Sequence, residues 1–131
     1  MLKQDYLLRM ISEIITLIVN ALLNKHKIRK ENWVEYDCLT QQILEVSSDA
    51  LANMNPEEII DKYQEDPNTF GKIELAGMTM LKMANEMGNE NLLLKSRLRQ
   101  SGIQLLKYVQ TKGNTFSIQR VALIDALEKG N

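Results

Sequence analysis

The sequence predicts an all-α domain, an antiparallel helical array or bundle of about five to six helices with short connections. Three observations predict it. Apolar residues recur at i, i+3, i+4 and i+7 along several long stretches, the period of one helix face. The chain holds two Pro, six Gly, two Phe and one Trp, a composition that suits helices better than sheets. No Pro- or Ser-rich linker divides the 131 residues. They therefore read as one domain over 1–131, with a core large enough to fold without staples.

The first helix is placed over residues 5–24. Its stretch M-I-S-E-I-I-T-L-I-V-N-A-L-L, residues 10–23, is the most distinctive in the chain. Leu7, Ile11, Ile14, Ile18 and Leu22 recur at helical spacing and face a core. Leu8, Ile15, Val19 and Leu23 form a second stripe beside them, and Met10 and Leu17 widen it. Arg9, Glu13, Thr16 and Asn20 hold the remaining face, where Arg9 and Glu13 stand four apart and can pair. A membrane span needs about 20 mostly apolar residues, and these polar side chains interrupt the run. Ser12-Glu13 also breaks the apolar centre that a signal peptide requires. A soluble helix is the better reading, but its apolar skin is wider than a surface helix buries. It is either central in the bundle or covered twice, once by its own chain and once by a partner.

Lys25-His26-Lys27-Ile28-Arg29-Lys30 follows as a basic connector, favourable at the negative end of the first helix. The second helix opens on Asn32-x-x-Glu35, which reads as a capping box. Trp33, Tyr36, Leu39, Ile43 and Val46 give its inward stripe, and Cys38 reads as a small buried hydrophobe. Residues 50–54 are a short, weakly helical piece. Asn55-Pro56-Glu57-Glu58 starts the short third helix: Asn caps, Pro takes the first helical position, and the acids meet the positive end of the dipole. Ile59, Ile60 and Tyr63 are its apolar residues. Glu57, Glu58, Asp61, Glu65 and Asp66 form a solvated face without the D-x-D-x-D-G spacing of a calcium loop.

The fourth helix spans residues 70–87, with Ile73, Ala76, Met80, Ala84 and Met87 on one face and Leu75, Met78, Leu81 and Met83 on its flanks. Gly88 stands where a left-handed cap is common. The fifth spans residues 90–111 on a stripe of Leu94, Leu98, Gly102, Leu105 and Val109. Gly77 and Gly102 permit close approach of two backbones. Lys95, Arg97 and Arg99 decorate the outer surface. The last helix, residues 116–128, docks through Ile118, Val121, Ala122 and Ile124.

The fourth and fifth helices, with Leu75-Ala76-Gly77 and the tight Gly88-Asn89 turn, resemble tetratricopeptide (TPR) repeats in geometry. That resemblance implies a TPR-like arrangement, a right-handed α–α superhelix. The small residues of the second helix are out of register and the terminal Pro is absent. The opening M-L-K-Q-D-Y-L-L-R-M-I and the N-P-E-E-I-I middle, with the long helical pair, resemble an uncharacterised family of small bacterial helical proteins. The resemblance implies a bacterial, cytoplasmic helical domain and transfers no functional residue.

The formal net charge is −1, whereas a dedicated nucleic-acid binder is usually basic. One Cys and one His exclude an intramolecular disulfide and the common zinc frameworks. The chain has no Glu-x-x-His pair, phosphate loop or H-E-x-x-H, so no enzyme activity, cofactor, metal or small-molecule substrate is expected. The expected role is a non-enzymatic protein–protein interaction module, a scaffold or adaptor. Met10, Leu17, Met78 and Met83 are its contact residues, and a homodimer through the first helix is one form of it. The alternative is a nucleic-acid contact through Lys25, Lys27, Arg29 and Lys30, joined by Lys95, Arg97 and Arg99, with Trp33 and Tyr36 stacking on bases.

Overall fold

The computed structural model describes the backbone of residues 2–23 and 30–129 and the side chains of residues 4–23 and 33–129. Among the described residues seven α-helices follow one another: α1 Leu2–Leu23, α2 Lys30–Leu44, α3 Ser48–Ala52, α4 Pro56–Lys62, α5 Thr69–Glu86, α6 Leu92–Lys112 and α7 Ile118–Glu128. A 3-10 turn, Asn89–Asn91, leads into α6. Among the described residues there is no strand, so the chain is all-α.

The centre of the molecule is α5. Ile73, Leu75, Ala76, Met78, Met80 and Leu81 are all buried along it, and α1, α2, α3, α4 and α6 each pack against it. A helix that is apolar nearly all round belongs in the middle. Met78, expected to meet a partner, is 0% exposed. It is core because α5 has no free flank there. By contrast α1 is one-sided. Ile11, Ile14, Ile15, Ile18 and Val19 are buried against the fold, while Tyr6, Leu8 and Leu23 are exposed.

α5 and α6 form the antiparallel pair that the glycines predict. A Cβ at Gly102 would lie 2.7 Å from Leu81 Cγ and 2.9 Å from the Gly77 carbonyl oxygen. A Cβ at Gly77 would lie 3.2 Å from the Gly102 oxygen. Only two glycines facing each other allow the helices this close. The turn between them differs from expectation. Gly88 has φ −78° and ψ −162°, an extended rather than left-handed conformation. The left-handed residue is Glu45 instead, with φ 57°, at the end of α2. α1 packs across α5 and also meets α7, which is not the neighbour-to-neighbour stacking of a repeat array.

Local sequence explains most helix starts. Asn55 Oδ1 accepts from the Glu58 N–H at 2.9 Å, as the predicted cap requires, and Glu58 Oε1 accepts from the Asn55 N–H at 3.0 Å, which makes the cap a reciprocal box. Side chains of Ser47, Asn91 and Ser117 cap α3, α6 and α7. Asn32 is not a cap, because α2 already begins at Lys30. Cys38 is exposed rather than buried; it lies off the inward stripe of α2. The docking of α7 is also corrected. Ile118 is 75% exposed and Val121 38%, and Ala122 is exposed too. Arg120 and Leu123 are the buried residues, with Ile124 and Leu127 half-buried beside them. The helix turns this face inward because Arg120 finds a carboxylate there.

Candidate functional site: two recesses beside the first helix

The first recess lies between α1 and α2. Met10, Ile14 and Leu17 of α1 and Tyr36 of α2 line a groove of about 390 Å³, with Ser12, Glu13 and Thr16 at its edge. Helical spacing puts Met10, Ile14 and Leu17 on one side of α1. Ile14 turns fully into the core, whereas Met10 and Leu17 are half-buried. Two of the expected contact residues thus share one groove. Met83 stands apart from them on α5, half-buried against the core.

The second recess is a cleft of about 470 Å³ bounded by α1, the first turn of α5 and the connector into α7. Arg120 forms part of its wall. Its Nη1 donates to Glu74 Oε2 at 2.9 Å, its Nε to Gln110 Oε1 at 2.8 Å, and its Nη2 to the Thr115 carbonyl oxygen at 2.7 Å. The two side chains are only 2% and 14% exposed. This pair fastens α7 to α5, and its third and fourth partners lie on α6 and in the connector. Around it stand the amides of Gln4, Asn68, Asn114 and Gln119 and the hydroxyls of Ser12, Thr69 and Ser117. Leu8, Ile11, Ile15, Phe70 and Val109 supply apolar wall. Among the described residues, Arg120 and Glu74 are the only charged ones in the lining.

Sequence reading missed this cleft and its arginine. One signal pointed to it. With Ser117 as the cap, Arg120, Leu123, Ile124 and Leu127 share a face at i, i+3, i+4 and i+7. The competing face of Ile118, Val121 and Ala122 is as apolar, so spacing alone did not choose between them.

A further ion pair lies just outside the cleft, where Lys72 Nζ donates to Asp66 Oδ2 at 2.6 Å. Burial pushes the Asp66 carboxyl up. The hydrogen bonds from Lys72 and from the Asn68 N–H, with the lysine's charge, outweigh that and hold it below the ordinary carboxylate range.

Lys25, Lys27 and Arg29 lie outside the described residues, as does the side chain of Lys30. On α6, Lys95 donates to the Met87 oxygen at 3.2 Å, Arg97 to the Ala52 oxygen at 3.0 Å, and Arg99 to the Leu127 oxygen at 2.7 Å. These carbonyls stand at the ends of α5, α3 and α7 and would otherwise lack an intrahelical partner. A cation is also favourable at the negative end of a helix. The three side chains fasten helix ends to α6. Trp33 and Tyr36 meet edge to face at 6.0 Å, and Lys82 Nζ sits 4.4 Å from the Trp33 ring centre, so that ring is already engaged. Among the described residues no group of three or more His, Cys, Asp or Glu side chains converges as metal ligands would. No protein-family model, curated protein or solved structure matches the chain.

Proposed function

We propose that this chain is a non-enzymatic docking module that receives a protein partner along the outer side of α1. The observation that carries the reading is the division of α1. One face is sealed against α5 and α7. The other keeps Tyr6 60% exposed, beside a groove that holds Met10 and Leu17. Apolar surface left in contact with water at a concave site favours association, and a methionine-edged groove adapts to an incoming helix or loop. The α5–α6 pair supports a TPR-like comparison for one hairpin, with α1 added across it. The exposed thiol of Cys38 fits a reducing, cytoplasmic setting.

Gln4–Leu23 is long and apolar enough to cross a membrane by length and composition. Protein is favoured over lipid because a spanning helix would have to leave the five residues buried against the fold. Arg9, Ser12 and Glu13 are exposed and would enter the bilayer with it. The test is a photo-reactive side chain in place of Leu17, with Glu65 on the exposed acidic face as control. A discrete protein adduct from position 17 and none from position 65 is expected. An adduct of twice the chain's mass identifies the partner as a second copy. Absence of any position-17 adduct, or recovery of the chain in alkali-washed membranes, overturns the reading.

A further inference from the structure

We infer that the cleft between α1, α5 and the α7 connector binds an uncharged, extended peptide segment. The inference rests on the docking reading above and gives the partner's chemistry at a second place. Size comes first. A cleft of about 470 Å³ lies within the range that accepts a small ligand or a few residues of chain.

Charge narrows the class. Among the described residues the lining holds one guanidinium and one carboxylate, and these are spent on each other at 2.9 Å. A ligand carboxylate or phosphate would have to take Arg120 from Glu74, and a ligand ammonium would have to take Glu74 from Arg120. Either exchange leaves one nearly buried ion without its partner, which is strongly unfavourable. Gln110 and the Thr115 carbonyl hold the guanidinium in place as well, so it cannot swing to meet a ligand without losing them. The cleft is polar and yet closed to ions.

Hydrogen-bonding character narrows it further. Asn114 and Ser12 are exposed at the rim, and neither makes an internal side-chain hydrogen bond among the described residues. Gln119 uses its carbonyl oxygen to accept from Thr16 at 3.4 Å, which leaves its amino group available. Side-chain amides offer donors and acceptors together, the pair that each peptide unit presents. Leu8, Ile11 and Ile15 can receive the side chains that alternate along an extended segment. A sugar, the other neutral ligand rich in hydrogen-bonding groups, is disfavoured by the aromatic residue. Phe70 is half-buried and tilted onto Tyr108 at 6.3 Å, so it offers no open platform for a pyranose ring.

The experiment is amide-resolved NMR of the full chain with defined probes. These are pools of N-acetylated, C-amidated tetrapeptides built from Ala, Val, Leu, Ser and Asn. The same pools with one Asp or one Lys, and methyl glucoside, serve as comparisons. The uncharged pools should shift the signals of residues 68–71 and 114–119, with the charged pools at least tenfold weaker and the glucoside silent. Two variants locate the site. The atoms nearest a Cβ at Gly71 belong to Ile11 and Leu8, at 3.6 Å or more, so Gly71→Leu fills the cleft from a helical position that welcomes a side chain. Asn114→Arg places an unpaired cation on the rim. Both should abolish the shifts while keeping the thermal midpoint. Silence of every uncharged pool at millimolar concentration, equal binding of the charged pools, shifts with the glucoside, or undiminished binding by Gly71→Leu overturns the assignment. A position-17 adduct with a silent cleft sinks this inference alone. Cleft binding without the adduct sinks only the α1 groove.

Discussion

Arg120 is the residue on which α7 depends, and its energetics are asymmetric. A buried ion pair is worth little against a well-packed apolar substitute, but removing one member leaves the other charged and unpartnered. Arg120→Met strands the Glu74 carboxylate and also frees Gln110 and the Thr115 carbonyl. A loss of about 3–5 kcal/mol is expected, read as a lowered midpoint in urea unfolding. Adding Glu74→Gln to Arg120→Met should return part of that loss, because the stranded charge is then gone. Equal stability of the single and double variants would mean that the carboxylate already reaches water. Leu17 is the counter-example at this scale. Its half-buried position follows from an apolar arc too wide for one neighbour, and it was legible in the sequence for that reason. Arg120 was not, because its partner lies 46 residues away and nothing local marks the pairing.

Helix ends show what sequence reading captures and where it stops. The Asn55 cap is legible within four consecutive residues and forms as read, with the Glu58 side chain completing it as a reciprocal box. Gly77 and Gly102 were also legible, since a glycine inside a helix costs about 1 kcal/mol and asks for a reason. Asn32-x-x-Glu35 has the same pattern as a working box, but the helix starts two residues earlier and leaves Asn32 inside it. The pattern is necessary for a box and does not fix where the helix begins. Gly88 is the residue type that tolerates a left-handed cap best, whereas the chain uses Glu45. There the backbone must reverse between α2 and α3, and a side chain in that region costs about 1–2 kcal/mol. Glu45→Gly should therefore raise stability, by up to about 1 kcal/mol after the larger entropy loss of glycine. The midpoint of thermal unfolding checks this. A fall would show that the Glu45 side chain contributes more than its backbone costs. The cleft was illegible on the same grounds as the α7 phase. It gathers side chains from α1, α5, α6 and the 113–117 connector, and no single segment carries the pattern.

At the scale of the whole molecule, two titratable groups near the α4–α5 junction contribute to the pH dependence of stability. The Tyr63 hydroxyl donates to the Leu44 carbonyl at 2.6 Å, tying the end of α4 to the end of α2. Burial pushes its pKa well above the ordinary tyrosine range, and the Glu45 and Asp66 carboxylates push it the same way. The folded state therefore holds this proton more tightly than the unfolded chain. Its contribution is complete below about pH 10, the unfolded value, and drains away as pH rises beyond it. Asp66 works in the opposite sense. Its folded pKa is depressed by Lys72 and the Asn68 N–H. Its contribution is complete well above the unfolded value of about 3.9 and is lost as pH falls through that region to the folded value. Stability against urea should show an acid limb and an alkaline limb containing these two terms. Tyr63→Phe should flatten the alkaline limb and lower the plateau by about 1–3 kcal/mol, because the Leu44 carbonyl is left unsatisfied. Asp66→Asn should flatten the acid limb and, by removing one of the carboxylates that raise Tyr63, slightly shorten the alkaline limb. Glu45→Gln removes one of the carboxylates beside Tyr63, so it should shorten the alkaline limb in a protein with an intact hydroxyl: the onset stays at the unfolded value and the total loss is smaller. An alkaline limb unchanged by Tyr63→Phe would assign that loss of stability to other groups and separate the α2–α4 tie from the pH response.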